Sequence, residues 1–211
     1  MVPLSNLLAF ALAAVILIAV PGPSVLFVIG RSLALGWKSG VLTVLGNATG
    51  QLVQVAAVAL GVGIVVAQSV ILFSVVKLAG AAYLVYLGIK AIRHRREHPS
   101  AESRPMDPRP LRLVADGLAV GASNPKSVVF FVAVLPQFVD YSSGAIAFQL
   151  ALLGVLFVLI ALVSDSLWAI AAGSARHWFA RSPRRISAME ATGGALMIGL
   201  GGTLALTGTK S

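Results

Sequence analysis

Lys126 and Asp165 are the residues of this sequence whose chemistry most needs explaining. Each is a full charge set deep in an apolar run, Lys126 in 113–137 and Asp165, between Ser164 and Ser166, in 145–171. A charge near the centre of a bilayer costs about 2.5–3.5 kcal/mol on insertion scales, so each must face a cavity or a partner. A buried ammonium can hold a carboxylate, and a buried carboxyl group can carry a proton. The two could equally form a structural ion pair. Lys77, in the run 69–92, is a third candidate, although its depth also allows its stem to lie in lipid while the ammonium reaches the surface. Asn47, Gln51 and Gln54 fall at i, i+4 and i+7, one stripe of a helix that either lines a polar path or cross-links its neighbours. Tyr83 could add a hydroxyl. Asp116 and Glu190 open their apolar runs, where the positive end of a helix favours a carboxylate, and a capping role is expected of them.

The elements that must position these groups follow from composition. The chain has 211 residues, of which 58% are hydrophobic and 11% charged, and its mean hydropathy is +0.93. An ordinary soluble domain carries about 25% charge. The excess of apolar residues is too large for one buried core, which excludes a soluble enzyme and nucleic-acid binding as the main activity and predicts an integral membrane protein. The absence of Cys excludes disulfides, thiolate catalysis and zinc–thiolate sites. Six runs approach or exceed the ~20 residues of a spanning helix, at 4–30, 40–64, 69–92, 113–137, 145–171 and 188–207. Runs this long and continuously apolar do not alternate as barrel strands do, so an all-α membrane protein is predicted. The first run lacks a basic leader and meets Pro21-Gly22-Pro23 instead of a small-residue cleavage site, so it is read as a span and not a signal peptide.

Charge placement orients the spans. Connections 31–39, 93–112 and 172–187 hold twelve of the sixteen Lys and Arg residues, all on one side of a six-span arrangement. That side is therefore expected in the cytoplasm and both termini outside. The net charge of +9 becomes a topology signal with some attraction to anionic lipid, and no nucleic-acid partner is expected. The Pro-rich basic loop 93–112 divides the chain into a first three-helix repeat, 1–92, and a second, 113–211. At an offset of 103 residues Ala19, Ser24, Val25 and Phe27 match Ala122, Ser127, Val128 and Phe130. Three helices per half would place the two copies in opposite orientations, the inverted repeat of many transporters.

Each half also contains a break. Pro21 and Pro23 free the carbonyls of Leu17 and Ala19, and Pro125 frees that of Gly121, because proline has no amide to donate. Lipid cannot satisfy those groups, and paired broken helices point to a binding site near the midplane. The pairs Gly36/Gly40, Gly46/Gly50 and Gly117/Gly121 permit close backbone approach, within one subunit or in a homo-oligomer.

These residues resemble the LysE/RhtB amino-acid exporters, the LysE-type translocators, over nearly the whole chain. Pro21-Gly22-Pro23 is similar to the family's first-helix signature, Gly36 to Gly46 to its second-helix start, and Lys77-Leu78-Ala79-Gly80-Ala81-Ala82-Tyr83-Leu84 through Gly88 to its third-helix pattern. Asn124-Pro125-Lys126, with Phe131 and Leu135-Pro136-Gln137-Phe138-Val139, resembles its fourth-helix signature. The resemblance implies export of amino acids or close derivatives through the bacterial inner membrane, in exchange for protons. The stripe Asn47, Gln51, Gln54 bears amides and no acid, which favours neutral or homoserine-like substrates over dibasic ones. Substrate contacts are expected from Pro21, Gly22, Pro23, Asn47, Gln51, Lys77, Tyr83, Asn124, Pro125 and Lys126, and proton coupling from Asp165. No cofactor or bound metal is expected. A divalent-metal exporter would find few ligands, because His94, His98 and His177 all lie in basic loops. A membrane-embedded enzyme would have only Ser127 beside Lys126 as nucleophile and base, and neighbours on a helix point about 100° apart.

Overall fold

A computed structural model describes residues 2–68 and 109–174, together with isolated helical positions within 75–93 and 195–206. The expected contributions of Lys77, Tyr83 and Glu190, and most of the loop 93–112, lie outside the described residues. Among those described there is no strand. The helices are α1 (Leu4–Ala19), α2 (Pro23–Leu35), α3 (Trp37–Gln68), α4 (Pro110–Ala122), α5 (Pro125–Val129) and α6 (Ile146–Ser174).

The apolar runs fold as the proline positions dictate. The first is split, α1 stopping before Pro21 and α2 starting with Pro23 as its first residue, where its missing amide costs nothing. The two segments meet at 52°, and α4 meets the segment Pro125–Phe138 at 42°. Residues 31–35, expected in a connection, continue α2 instead. The chain turns at Gly36, whose φ of +91° is open to glycine and strained for other residues, and α3 begins at Trp37. Likewise α4 begins at Pro110, earlier than the expected 113. By length and composition α3 and α6 can each cross a membrane, as can each bent pair if it forms one span.

The second broken segment changes its winding along its length. After α5 the turn widens over Phe130–Val134, where the Leu135 amide reaches back five residues to the Phe130 carbonyl, and then tightens over Leu135–Phe138. Pro136 is the physical reason: it cannot supply the amide that the Val132 carbonyl would take in a regular helix.

α3 packs most extensively, against α4 on one side and α6 on the other. The α3–α4 seam is built by glycine at both faces. A methyl group on Gly46 would strike the Val114 carbonyl, and one on Gly117 or Gly121 would strike the carbonyl of Thr43 or Asn47. The small-xxx-small spacing thus brings two backbones of one subunit into contact. The core is aromatic where α1, the widened turn and α6 converge. Phe10 and Phe130 have ring centroids 5.8 Å apart, Phe130 and Phe157 5.0 Å, and Phe131 meets Phe157 edge-on at 4.9 Å. On the outside, Leu4, Leu8, Leu12 and Val15 of α1 and Phe148, Leu152, Val155, Leu159 and Val163 of α6 form exposed apolar stripes. Helices apolar on both faces, one packed and one bare, suit a lipid surround.

Asp116 corrects an expectation. It lies in the second turn of α4, past the first turn where it could cap the helix, accepts a hydrogen bond from Arg31 Nη2 at 2.5 Å and forms an ion pair with Arg112 Nε at 3.0 Å. The guanidinium of Arg31 also lies 5.1 Å from the Phe27 ring centroid. Counted from sequence as a loop charge, Arg31 is buried and joins α2 to α4.

Candidate functional site

The two helix breaks meet in the interior, and a small cavity lies between them. Its polar lining comes from Ser24 on α2, Gln51 on α3, Asn124 at the second break, Lys126 and Ser127 on α5, and Asp165 on α6; Leu17, Ile18, Phe157 and Ala161 form apolar wall. All six polar residues are buried. The volume is about 20 Å³, space for one water and too little for an amino acid.

Each break is held by side chains of the other elements. At the first, Lys126 Nζ donates to the carbonyl of Val20 at 2.5 Å. The stem of Lys126 runs across Gly22, where a methyl group would come within 3.0 Å of its Cδ, so the glycine between the two prolines makes room for the lysine. At the second break Asn124 caps α5, its Oδ1 accepting from the Lys126 amide at 3.1 Å while its Nδ2 donates to Ser24 Oγ at 2.9 Å. Gln54 Nε2 donates to the Ala122 carbonyl at 2.9 Å, and Gln54 Oε1 accepts from Ser127 Oγ at 2.8 Å.

The open carbonyls are not quite those expected. The Leu17 carbonyl accepts from the Val20 amide, and that of Gly121 from the Asn124 amide. The groups that need side-chain donors sit one to three residues later, at Val20 and Ala122, because the last turn before each proline tightens and recaptures its own carbonyls.

The amide stripe divides its labour. Asn47 Nδ2 donates to Asp165 Oδ2 at 3.1 Å, and Gln54 is fully engaged at the second break. Gln51, between them and lining the cavity, keeps a sequestered Oε1 with no hydrogen-bond partner, as does Asn47 Oδ1. Lys126 and Asp165 face the same cavity, yet no ion pair joins them. Their first partners are a carbonyl and an amide, which separates them from a conventional buried salt bridge.

Of the residues singled out from sequence, Gly22, Gln51, Asn124, Lys126 and Asp165 come together around the cavity. Asn47 joins them through Asp165, and Pro21, Pro23 and Pro125 act through the breaks they cause. Sequence reasoning missed Ser24 and the Val20 carbonyl. Ser24 had a signal, its identity with Ser127 at the 103-residue offset; both serines line the cavity. The Val20 carbonyl had none, since the acceptor of a lysine in a broken helix depends on how the ends turn.

A bundle of apolar helices with two broken members and an internal pocket holding one cationic and one acidic side chain suits a membrane transport protein. Comparison with known proteins makes the class particular: the model of the LysE type translocator family matches residues 15–208, and the chain belongs to that family. It is 33% identical to an uncharacterized membrane protein of Vibrio cholerae serotype O1, over 94% of this chain and 95% of that one. It is 30% identical to the membrane protein YrhP of Bacillus subtilis, over 93% and 96%. The homoserine/homoserine lactone efflux protein of Salmonella typhimurium is 29% identical over 93% and 94%. No solved structure matches the chain.

Proposed function

We propose that this chain is a secondary exporter of amino acids or close derivatives in the bacterial inner membrane, favouring neutral and homoserine-like compounds and driven by protons. The observation that carries the reading is the cavity itself. It sets one ammonium and one carboxylate, unpaired with each other, among uncharged hydrogen-bonding groups, a complement to a zwitterion. The name of the Salmonella relative supports the same substrate class.

In the empty site Lys126 rests on the Val20 carbonyl. A substrate carboxylate draws Lys126 away, aided by the first amides of α2 at Ser24 and Val25, and this releases the carbonyl to accept from the substrate's ammonium. The charge of the substrate thereby replaces the internal contact group for group. Asp165, held by Asn47, takes and releases the coupling proton. Alternating access moves the segments on either side of the two breaks, widening a cavity that is too small here for an amino acid. Six spans with both termini outside complete the arrangement.

Everted vesicles containing the protein, with an imposed proton gradient and a panel of labelled amino acids, test this directly. Uptake of neutral or hydroxylated amino acids that collapses with the gradient is the expected result. A well-expressed protein that moves none of the panel would overturn the reading. Reporter fusions at Arg104 and Arg181 should report cytoplasm, and one at Tyr141 the outside; a cytoplasmic Tyr141 would remove the proposed topology.

A further inference from the structure

Gln51 lines the cavity with a buried side-chain oxygen that has no partner. Asn124 spends both ends of its amide, on Ser24 and on the Lys126 amide; Gln54 spends both, on Ala122 and Ser127. Gln51 is 4% exposed, its Oε1 is sequestered without a partner, and its side chain forms part of the cavity wall. Leaving a buried amide unpaired is costly, and a native fold tolerates it where another state supplies the partner. It carries an acceptor and a donor but no charge. Lys126 meets the substrate carboxylate and the Val20 carbonyl its ammonium, so the backbone charges of a zwitterion are matched without it.

We infer that Gln51 reads the substrate's side chain, selecting amino acids whose short side chain ends in an uncharged hydrogen-bonding group, a hydroxyl above all. This rests on the proposed export of amino acids and specifies its selectivity. A hydroxyl satisfies the Oε1 that the empty site leaves open, whereas a methyl group at the same place leaves it unpaired and buried. A site built to bond a hydroxyl rejects the isostere that lacks one far more strongly than an apolar pocket rejects an added hydroxyl. Gln51 lies one helical turn from both Asn47, which holds Asp165, and Gln54, which holds the second break.

The test compares homoserine with norvaline, which replaces the hydroxyl by a methyl, in vesicles holding the wild type, Gln51→Leu or Gln51→Met. The wild type is expected to move homoserine with at least about tenfold higher kcat/KM, one hydrogen bond's worth of discrimination. In both variants that preference should vanish or reverse while norvaline transport persists. Thermal unfolding of the purified variants should be no earlier than that of the wild type, because each replacement removes an unpaired buried group. Two results overturn the inference: an unchanged homoserine-to-norvaline ratio in the variants, or a marked loss of thermal stability showing that Gln51 is a structural bond-maker. Failure of the wild type to transport either compound would instead defeat the amino-acid reading, and this inference with it.

Discussion

Replacing Lys126 by methionine separates a substrate-binding lysine from a structural one. Methionine keeps an unbranched stem of nearly the same length, so the packing over Gly22 survives and only the ammonium is lost. Two opposing terms decide stability. Losing the charge-assisted bond to the Val20 carbonyl, and leaving that carbonyl without its side-chain donor, costs about 1.5–3 kcal/mol in all. The cost of holding an ammonium at depth, about 2.5–3.5 kcal/mol, disappears. The net change therefore lies between a loss of about 0.5 and a gain of about 2 kcal/mol, and Lys126→Met is expected to fold normally. Export, in contrast, should fall to background. The assay pairs thermal unfolding of the purified protein with gradient-driven export in vesicles. A structural ion pair with Asp165 gives a different pattern: Lys126→Met would unfold early by about 3–5 kcal/mol and Lys126→Met/Asp165→Asn would recover. That pattern, or wild-type export by Lys126→Met, would refute the reasoning.

Gln54→Leu strips donors from the Ala122 carbonyl and the acceptor from Ser127, so it should destabilise by about 1–3 kcal/mol in thermal unfolding, where Gln51→Leu does not. Gly117→Ala forces a methyl group against the Thr43 carbonyl and should cost about 1–3 kcal/mol by parting α3 from α4; retention of full stability would contradict the seam. Asp116→Asn leaves Arg31 buried without its anion and should lower the unfolding temperature, with partial recovery in Arg31→Gln/Asp116→Asn. In the turn between the second broken segment and α6, hydrogen bonds from Ser142 and then Ser143 hold the Asp140 carboxyl down at about 2 from its ordinary 3.8. A lowered folded-state value means that the turn's contribution is intact above pH ~4 and lost as pH falls towards 2; protection of the Ser142 amide from hydrogen exchange should follow that course, and loss already at pH 6 would contradict it.

How much of this was legible beforehand depends on whether a feature is local. Proline acts on its own turn, so the breaks at Pro21–Pro23 and Pro125 could be placed from spelling alone. The pairs Gly46/Gly50 and Gly117/Gly121 were equally plain, whereas Gly36 of the third pair makes a turn and no close approach. Asp116 was misjudged because the start of α4 is set by Pro110, three residues before the apolar run begins. Arg31 was misjudged for a related reason: a charge near a helix end looks like a loop charge until a carboxylate 85 residues away in sequence is brought to it. The widened turn at Phe130–Val134 has its cause in Pro136, downstream of where its effect falls.

The amide stripe is the sharpest case of what spelling cannot distinguish. Asn47, Gln51 and Gln54 share one face and one chemistry, and sequence left them as path lining or cross-links without separating one from another. Three-dimensional partners separate them. Gln54 meets carbonyls that proline has opened, and Asn47 meets Asp165. Gln51 meets the cavity, because its turn of α3 faces the gap between the two breaks and no backbone group reaches it. Paired helix breaks therefore do two things here. They expose carbonyls that recruit Lys126 and Gln54 as internal donors, and they hold the flanking segments far enough apart that one buried amide in the same stripe stays unused. The unused group is the one with capacity to bond something that comes and goes, while its two neighbours keep the breaks in shape.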